Sequence, residues 1–277
     1  MRIDSHQHFW KYNDVEYGWM DDSMSVLRRD HLPAELKKEL DGSGIAGSVA
    51  VQARQVADET SWLLRLAGEN EFIKGVVGWV DLRADGVEEE LAGFSRDKKL
   101  KGVRHVLHDE EDERFMLRDD FLNGIGKLEQ FNLTYDILIF ERHLKCACEF
   151  VGKFEAQPFV VDHIAKPLIK DGVVEPWRSD LRKLAEFGNV YCKLSGMVTE
   201  AAWDSWTADD LVPYMDAVLE AFGADRVMFG SDWPVCTVAA SYEHVAGIVA
   251  EFVSGLSAGE QAMIMGQNAM KFYGLEE

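Results

Sequence analysis

Short runs rich in β-branched residues alternate along the chain with stretches whose apolar positions recur every three or four residues. The runs cover residues 2–4, 48–52, 73–80, 100–107, 133–140, 158–163, 190–195 and 226–232. Several are apolar at consecutive positions, as in Gly75-Val76-Val77-Gly78-Trp79-Val80 and Phe159-Val160-Val161. A strand that is apolar on both faces belongs in a parallel sheet covered by helices. The intervening stretches predict helices over 32–40, 58–69, 87–94, 118–131, 142–154, 176–187, 208–222 and 242–252, with a closing helix over about 257–275. Stop and start signals agree: Pro33 in a first turn, Gly188 and Gly223 after helix ends, and Ser257 with Glu260 as a capping box. Strict alternation predicts parallel strands joined by crossover helices, and eight such units close into an α/β fold, the (β/α)8 TIM barrel. No G-x-G-x-x-G follows the first run, which counts against an open dinucleotide-binding sheet. No linker or repeat divides the sequence, so one barrel domain over 1–277 is expected. The longest irregular stretch, 9–29, carries Trp10, Tyr12, Tyr17, Trp19 and Met20 and is a lid candidate.

Composition narrows the class. An apolar fraction of 47% and a charged fraction of 28% exclude a disordered or fibrous chain. A net charge of −20 disfavours nucleic acid and anionic membrane surfaces as partners. Cys146, Cys148, Cys192 and Cys236 form no C-x-x-C pair, so reduced thiols are expected rather than disulfides or a zinc knuckle. No signal peptide precedes the first apolar run, and no apolar stretch approaches the roughly 18 residues of a membrane span. A soluble cytoplasmic protein is the expectation.

In a barrel the chemistry sits at the C-terminal ends of the strands. The first run leads into His6-Gln7-His8, and a strand period of two places both imidazoles on one side. Such a pair suits a divalent metal or a proton-transfer site. The sixth run ends at Asp162-His163, which places His163 at the rim. The eighth ends in Gly230-Ser231-Asp232-Trp233-Pro234. A carboxylate there is desolvated, which raises or couples its pKa and suits a general base. Arg104 ends the fourth run and is suited to hold a carboxylate or polarise a carbonyl. His105 faces the opposite side of that strand. Lys193 and Gln52 offer further polar contacts, and Trp10, Trp19, Trp79, Trp177 and Trp233 follow strand ends, where rings suit sugar faces or the core. His31, His108, His143 and His244 fall in loops or helices and read as structural.

Three segments carry a family likeness. Asp4-Ser5-His6-Gln7-His8-Phe9-Trp10, Val161-Asp162-His163-Ile164-Ala165-Lys166-Pro167 and Phe229-Gly230-Ser231-Asp232-Trp233-Pro234 resemble the amidohydrolase superfamily. The likeness is greatest to its sugar-lactonase branch, the L-fuconolactonase and L-rhamnonolactonase type, and 266–275 resembles the closing helix of those proteins. The resemblance implies a barrel of the metal-dependent-hydrolase type that opens a lactone to a hydroxy acid. It implies His6, His8 and His163 at the centre and Asp232 as the base that activates water. By position Arg104, Lys193, Gln52, Trp10 and Trp233 are substrate contacts. Strand four offers no bridging Lys or Glu and strand five no His, so a binuclear centre is incomplete. A single zinc on His6, His8 and Asp232 and metal-free hydrolysis both remain open. So do a pyrone-dicarboxylate lactonase, which needs converging arginines among Arg28, Arg29, Arg54, Arg104 and Arg142, a metal-dependent decarboxylase, and a non-catalytic binding barrel.

Overall fold

Each apolar run becomes a strand: β1 Ile3–Gln7, β2 Gly47–Val51, β3 Ile73–Gly78, β4 Leu100–Val106, β5 Thr134–Leu138, β6 Phe159–Val161, β7 Val190–Leu194 and β8 Val227–Phe229. The computed structural model describes residues 1–276. The strands pair in parallel in chain order, β1 through β8. The seam between β8 and β1 closes beyond the regular ladder. There the N–H of Asp232 donates to the His6 carbonyl at 2.9 Å and the N–H of His8 to the Trp233 carbonyl at 2.7 Å. The result is a (β/α)8 barrel whose closing bonds run through the segments that carry the candidate chemistry.

Helices α1 Pro33–Gly42, α2 Ala57–Glu69, α3 Val87–Phe94, α4 Asp119–Ile125, α5 Leu144–Val151, α6 Trp177–Ala185, α7 Ala208–Phe222 and α8 Tyr242–Val253 follow the strands. The helix expected over 118–131 is shorter. Gly124 and Gly126 weaken it, and Asn132 ends the region in a left-handed turn. The closing helix is broken into α9 Ala258–Ala262, a π turn Met263–Gln267 and α10 Asn268–Tyr273. The break lets the chain pass the start of β1, where any Cβ on Gly266 would lie 2.3 Å from the Met1 carbonyl. Trp177 opens α6, and its indole donates to the Ile164 carbonyl.

One apolar layer fills the space between strands and helices. A second plugs the bottom of the barrel, where Ile3, Val49, Val51, Val77, Val160 and Met228 meet Ala269, Tyr273 and Leu275. The 9–29 excursion has a small core of its own, made of Trp10, Tyr17, Met20 and Leu27, resting on Val235 and Val238. Its neck is closed by Trp10 and His31, which exchange two main-chain hydrogen bonds. Among the described residues no helix is long and apolar enough to cross a membrane.

Candidate active site

β1 reaches further than its apolar run, through His6 to Gln7, and slips register against β2 between Asp4 and Gln7. Such an irregularity re-aims side chains. The Asp4 carboxylate braces it, accepting from the N–H groups of His6 and Ser231 and from the hydroxyls of Ser231 and Tyr242. Burial nevertheless raises the Asp4 carboxyl to about 6.

His6 and His8 then face one point, their Nε2 atoms 3.1 Å apart. Oδ1 of Asp232 lies 3.4 Å from His8 Nε2, 3.8 Å from His6 Nε2 and 3.8 Å from His163 Nε2. Asp232 itself has a left-handed φ of +58°, which turns its side chain inward at the seam. His163 arrives by a stranger route. His163, Ile164, Ala165 and Lys166 have φ of +53°, +50°, +60° and +47°, with no glycine among them. A left-handed L-residue costs roughly 1–2 kcal/mol, so tertiary packing has to hold this turn. Ile164 and Ala165 are fully buried, and Trp177 grips the Ile164 carbonyl.

The outer nitrogens set the tautomers. His8 Nδ1 faces the Val51 carbonyl at 2.8 Å, so it is the protonated nitrogen and Nε2 presents a lone pair. His163 Nδ1 meets Ser195 Oγ at 2.9 Å. His6 Nδ1 stands between Asp162 Oδ1 at 3.3 Å and Lys193 Nζ at 3.1 Å. Burial drives the proton affinities of His6 and His163 well below the usual imidazole range, so both are neutral. For Asp232 burial works toward a raised value, but His163, His8 and Lys166 outweigh it and hold the carboxyl below its ordinary range. A raised or coupled value is the expectation from the sequence; the value is lowered, because the neighbouring groups together outweigh burial.

Arg104 also faces the axis. Its Nη1 donates to Asp162 at 2.9 Å and lies 3.3 Å from His6 Nε2, while Nη2 donates to the Gln52 carbonyl. Gln52 returns a bond from Nε2 to the Arg104 carbonyl, and Gln52 Oε1 and Arg104 Nε are buried without partners. His105 does face away from Arg104. It accepts from the Trp79 indole, pairs with Glu110 and stacks on Phe115.

Two expected substrate contacts are placed elsewhere. Lys193 has no exposure and lies inside the barrel, tied to Asp136 at 2.5 Å and Asp162 at 2.9 Å. Trp10 is enclosed in the excursion's core, its indole donating to the Leu27 and Arg29 carbonyls. Trp233 is nearly buried between Phe9 and His31. The charged residues missed by sequence reasoning are Asp136 and the role of Asp162. Burial raises Asp136 to about 6 despite Lys193. Burial opposes charge on Asp162 too, yet Lys193, His6 and Arg104 hold it well below the carboxylate range. The thiols of Cys192 and Cys236 are fully buried and pushed far up by that burial, which removes them as nucleophiles.

Two donor sets are compact enough for a metal, His6–His8–Asp232 and His6–Asp162–His163. Tetrahedral zinc with bonds of about 2.0–2.1 Å keeps its ligand atoms roughly 3.3 Å apart. The first set spans 3.1 to 3.8 Å, with a lone pair presented by His8 Nε2, so it fits zinc. In the second, Asp162 is already engaged by Arg104 and Lys193.

The chain is 44% identical over 288 residues to an L-fucono-1,5-lactonase of Burkholderia multivorans, covering 100% of this chain and 97% of that protein. It is 34% identical over 282 residues to an L-fucono-1,5-lactonase of Burkholderia ambifaria, covering 99% and 96%. A crystal structure of a Burkholderia multivorans amidohydrolase with bound zinc superposes with a TM-score of 0.96 at 44% identity, each chain covered in full. Residues 3–275 match the Amidohydrolase family model, and with this barrel, its paired histidines on β1 and the aspartate after β8, the chain belongs to the amidohydrolase family.

Proposed function

We propose that this protein hydrolyses a sugar lactone to the sugar acid, with Asp232 as the base that activates water. The observation that carries the reading is the convergence of three imidazole Nε2 atoms on Oδ1 of one ionised aspartate. Asp232 takes a proton from water as the oxygen adds to the lactone carbonyl carbon. The ring C–O bond then breaks, and the proton held on Asp232 passes to the departing ring oxygen. His6 and His163 are neutral, so a permanent charge near the carbonyl oxygen comes from Arg104, beside His6. His6, His8 and Asp232 would hold a zinc ion, which would supply Lewis acidity to the reaction. Lys193 supports His6 from below rather than touching substrate. The unpartnered Gln52 Oε1 and Arg104 Nε offer an acceptor and a donor to ring hydroxyls.

The charge inventory favours a neutral lactone over a dicarboxylate. Arg28 pairs with Asp22, Arg29 with Glu35, Arg54 with Glu16, Arg104 with Asp162 and Arg142 with Glu113. Among the described residues no set of free arginines converges on the site. Four free cysteines suit the reducing cytoplasm.

The test is acid release, followed with a pH indicator, from L-fucono-1,5-lactone, other aldonolactones and a pyrone dicarboxylate. Hydrolysis of an aldonolactone that falls about 100- to 10,000-fold in Asp232→Asn is expected of a lost general base. Equal rates in the two proteins would remove Asp232 from the mechanism. Turnover of the pyrone alone would favour the dicarboxylate reading.

A further inference from the structure

Beyond the groups that ring Asp232, the rim carries a cation on a flexible stem, Lys166. It ends the left-handed turn that begins at His163, and its main-chain N–H donates to the His163 carbonyl at 2.8 Å. Its Nζ stands 5.6 Å over the ring of Phe140, just after β5, and 3.1 Å from Glu200, in the turn after β7. His108, in the turn after β4, lies against the same Phe140 ring, with centroids 4.7 Å apart. The Lys166 side chain is one-fifth exposed, and Glu200 is its one carboxylate partner among the described residues. Burial and then charged neighbours set the proton affinities of His163, His108 and Asp232, and Lys166 is among those neighbours for all three.

Lactone opening changes the charge of the ligand. A neutral ester becomes a carboxylate, formed where water attacks, against an ionised Asp232. Like charges at that distance repel, so the product needs a cation able to follow it. Arg104 is held in place by Asp162 and the Gln52 carbonyl, and Lys193 is fully buried. A lysine at the rim has the compact charge and long stem for the task.

We infer that Lys166 receives the carboxylate of the sugar-acid product, exchanging Glu200 for it. This rests on the lactonase reading. The test uses L-fuconate, made by alkaline opening of L-fucono-1,5-lactone, titrated calorimetrically into the wild type and into Lys166→Met, Lys166→Arg and Glu200→Gln. Product inhibition and the KM for the lactone are measured alongside. Lys166→Met, which keeps the stem and removes the charge, should weaken L-fuconate binding about tenfold or more, the loss of one hydrogen bond between charged groups. Lys166→Arg should restore most of it, and Glu200→Gln should tighten it by freeing the lysine. The KM for the neutral lactone should move much less than the product inhibition constant. Equal affinity in the wild type and Lys166→Met, no measurable binding to the wild type, or a KM rise that matches the loss of product binding would each overturn the inference. A wild type that binds L-fuconate through Lys166 yet opens no lactone would instead remove the lactonase reading and leave the anion site. Turnover with product inhibition indifferent to residue 166 would do the reverse.

Discussion

Gly196 gives the scale at which this site is fitted. A Cβ there would lie 2.6 Å from His163 Nδ1, and the residue has a left-handed φ of +61°. Gly196→Ala should therefore displace the imidazole as well as strain the backbone, which costs roughly 1–3 kcal/mol. Turnover should fall by more than the loss of stability explains, measured as kcat beside a urea transition. The charges beneath the site behave differently. Lys193 sits between Asp136 and Asp162 with no access to water, so Lys193→Met leaves two facing carboxylates. Removing one partner of a buried pair typically costs about 3–5 kcal/mol. Adding Asp136→Asn should recover part of that loss, because it removes the repulsion that the first change creates. A double mutant no more stable than Lys193→Met would show that the two residues do not act as a pair.

At the scale of elements, the excursion after β1 is the piece whose order is most separable from the barrel. Its own core hangs on Trp10, whose indole bonds tie Leu27 and Arg29 back to the neck. Trp10→Phe keeps an aromatic face, loses the second ring of the indole and removes both bonds. Faster amide exchange confined to 9–29, with a raised KM and a nearly unchanged global transition, is the expected result. Exchange that rises throughout the barrel would mean that the excursion is part of the barrel's cooperative unit. The strands themselves were legible because parallel, doubly buried strands read as unbroken apolar runs, and His6, His8, His163 and Asp232 stand where those runs end. Asp136 and Lys193 were not legible as a pair. Both lie inside such runs, 57 positions apart, and only barrel closure brings them together. The left-handed turn at 163–166 was hidden for another reason: it contains none of the glycines or asparagines that mark such backbone, and distant packing holds it. Trp10 was misplaced because an aromatic residue after a strand end looks the same whether it faces a ligand or folds a loop.

For the molecule as a whole, the carboxylates divide into two populations with opposite pH dependence. Asp162 and Asp232 are held low by neighbouring cations and imidazoles. Asp4, Asp136 and Glu59 are pushed up, to about 6, 6 and 7, by burial that their partners offset only in part. Glu59, in the first turn of α2, accepts from the N–H groups of Ala53 and Arg54 and sits far from the catalytic centre in the chain. A carboxyl whose folded value is raised binds its proton more tightly in the native state than in the unfolded one. Its contribution is therefore complete below the unfolded value of 4.5 and is lost as pH rises through about 7. For Glu59 that loss amounts to at most about 3 kcal/mol, from about 1.4 kcal/mol per pKa unit. The net charge of −20 acts in the same direction, since self-repulsion among surface carboxylates also grows with pH. Glu59 therefore favours pH 5 over pH 8. The histidines work against it: burial holds His6, His163 and His31 below the ordinary imidazole value of 6.5, so on unfolding they take up protons at pH 5 that they do not take up at pH 8, and their contribution favours the higher pH. Glu59→Gln isolates the carboxyl, because it removes one buried titration while changing the histidines and the surface field little. The urea midpoint at pH 5 minus that at pH 8 should fall in that variant. An unchanged difference would mean that Arg54 keeps Glu59 ionised in the folded protein.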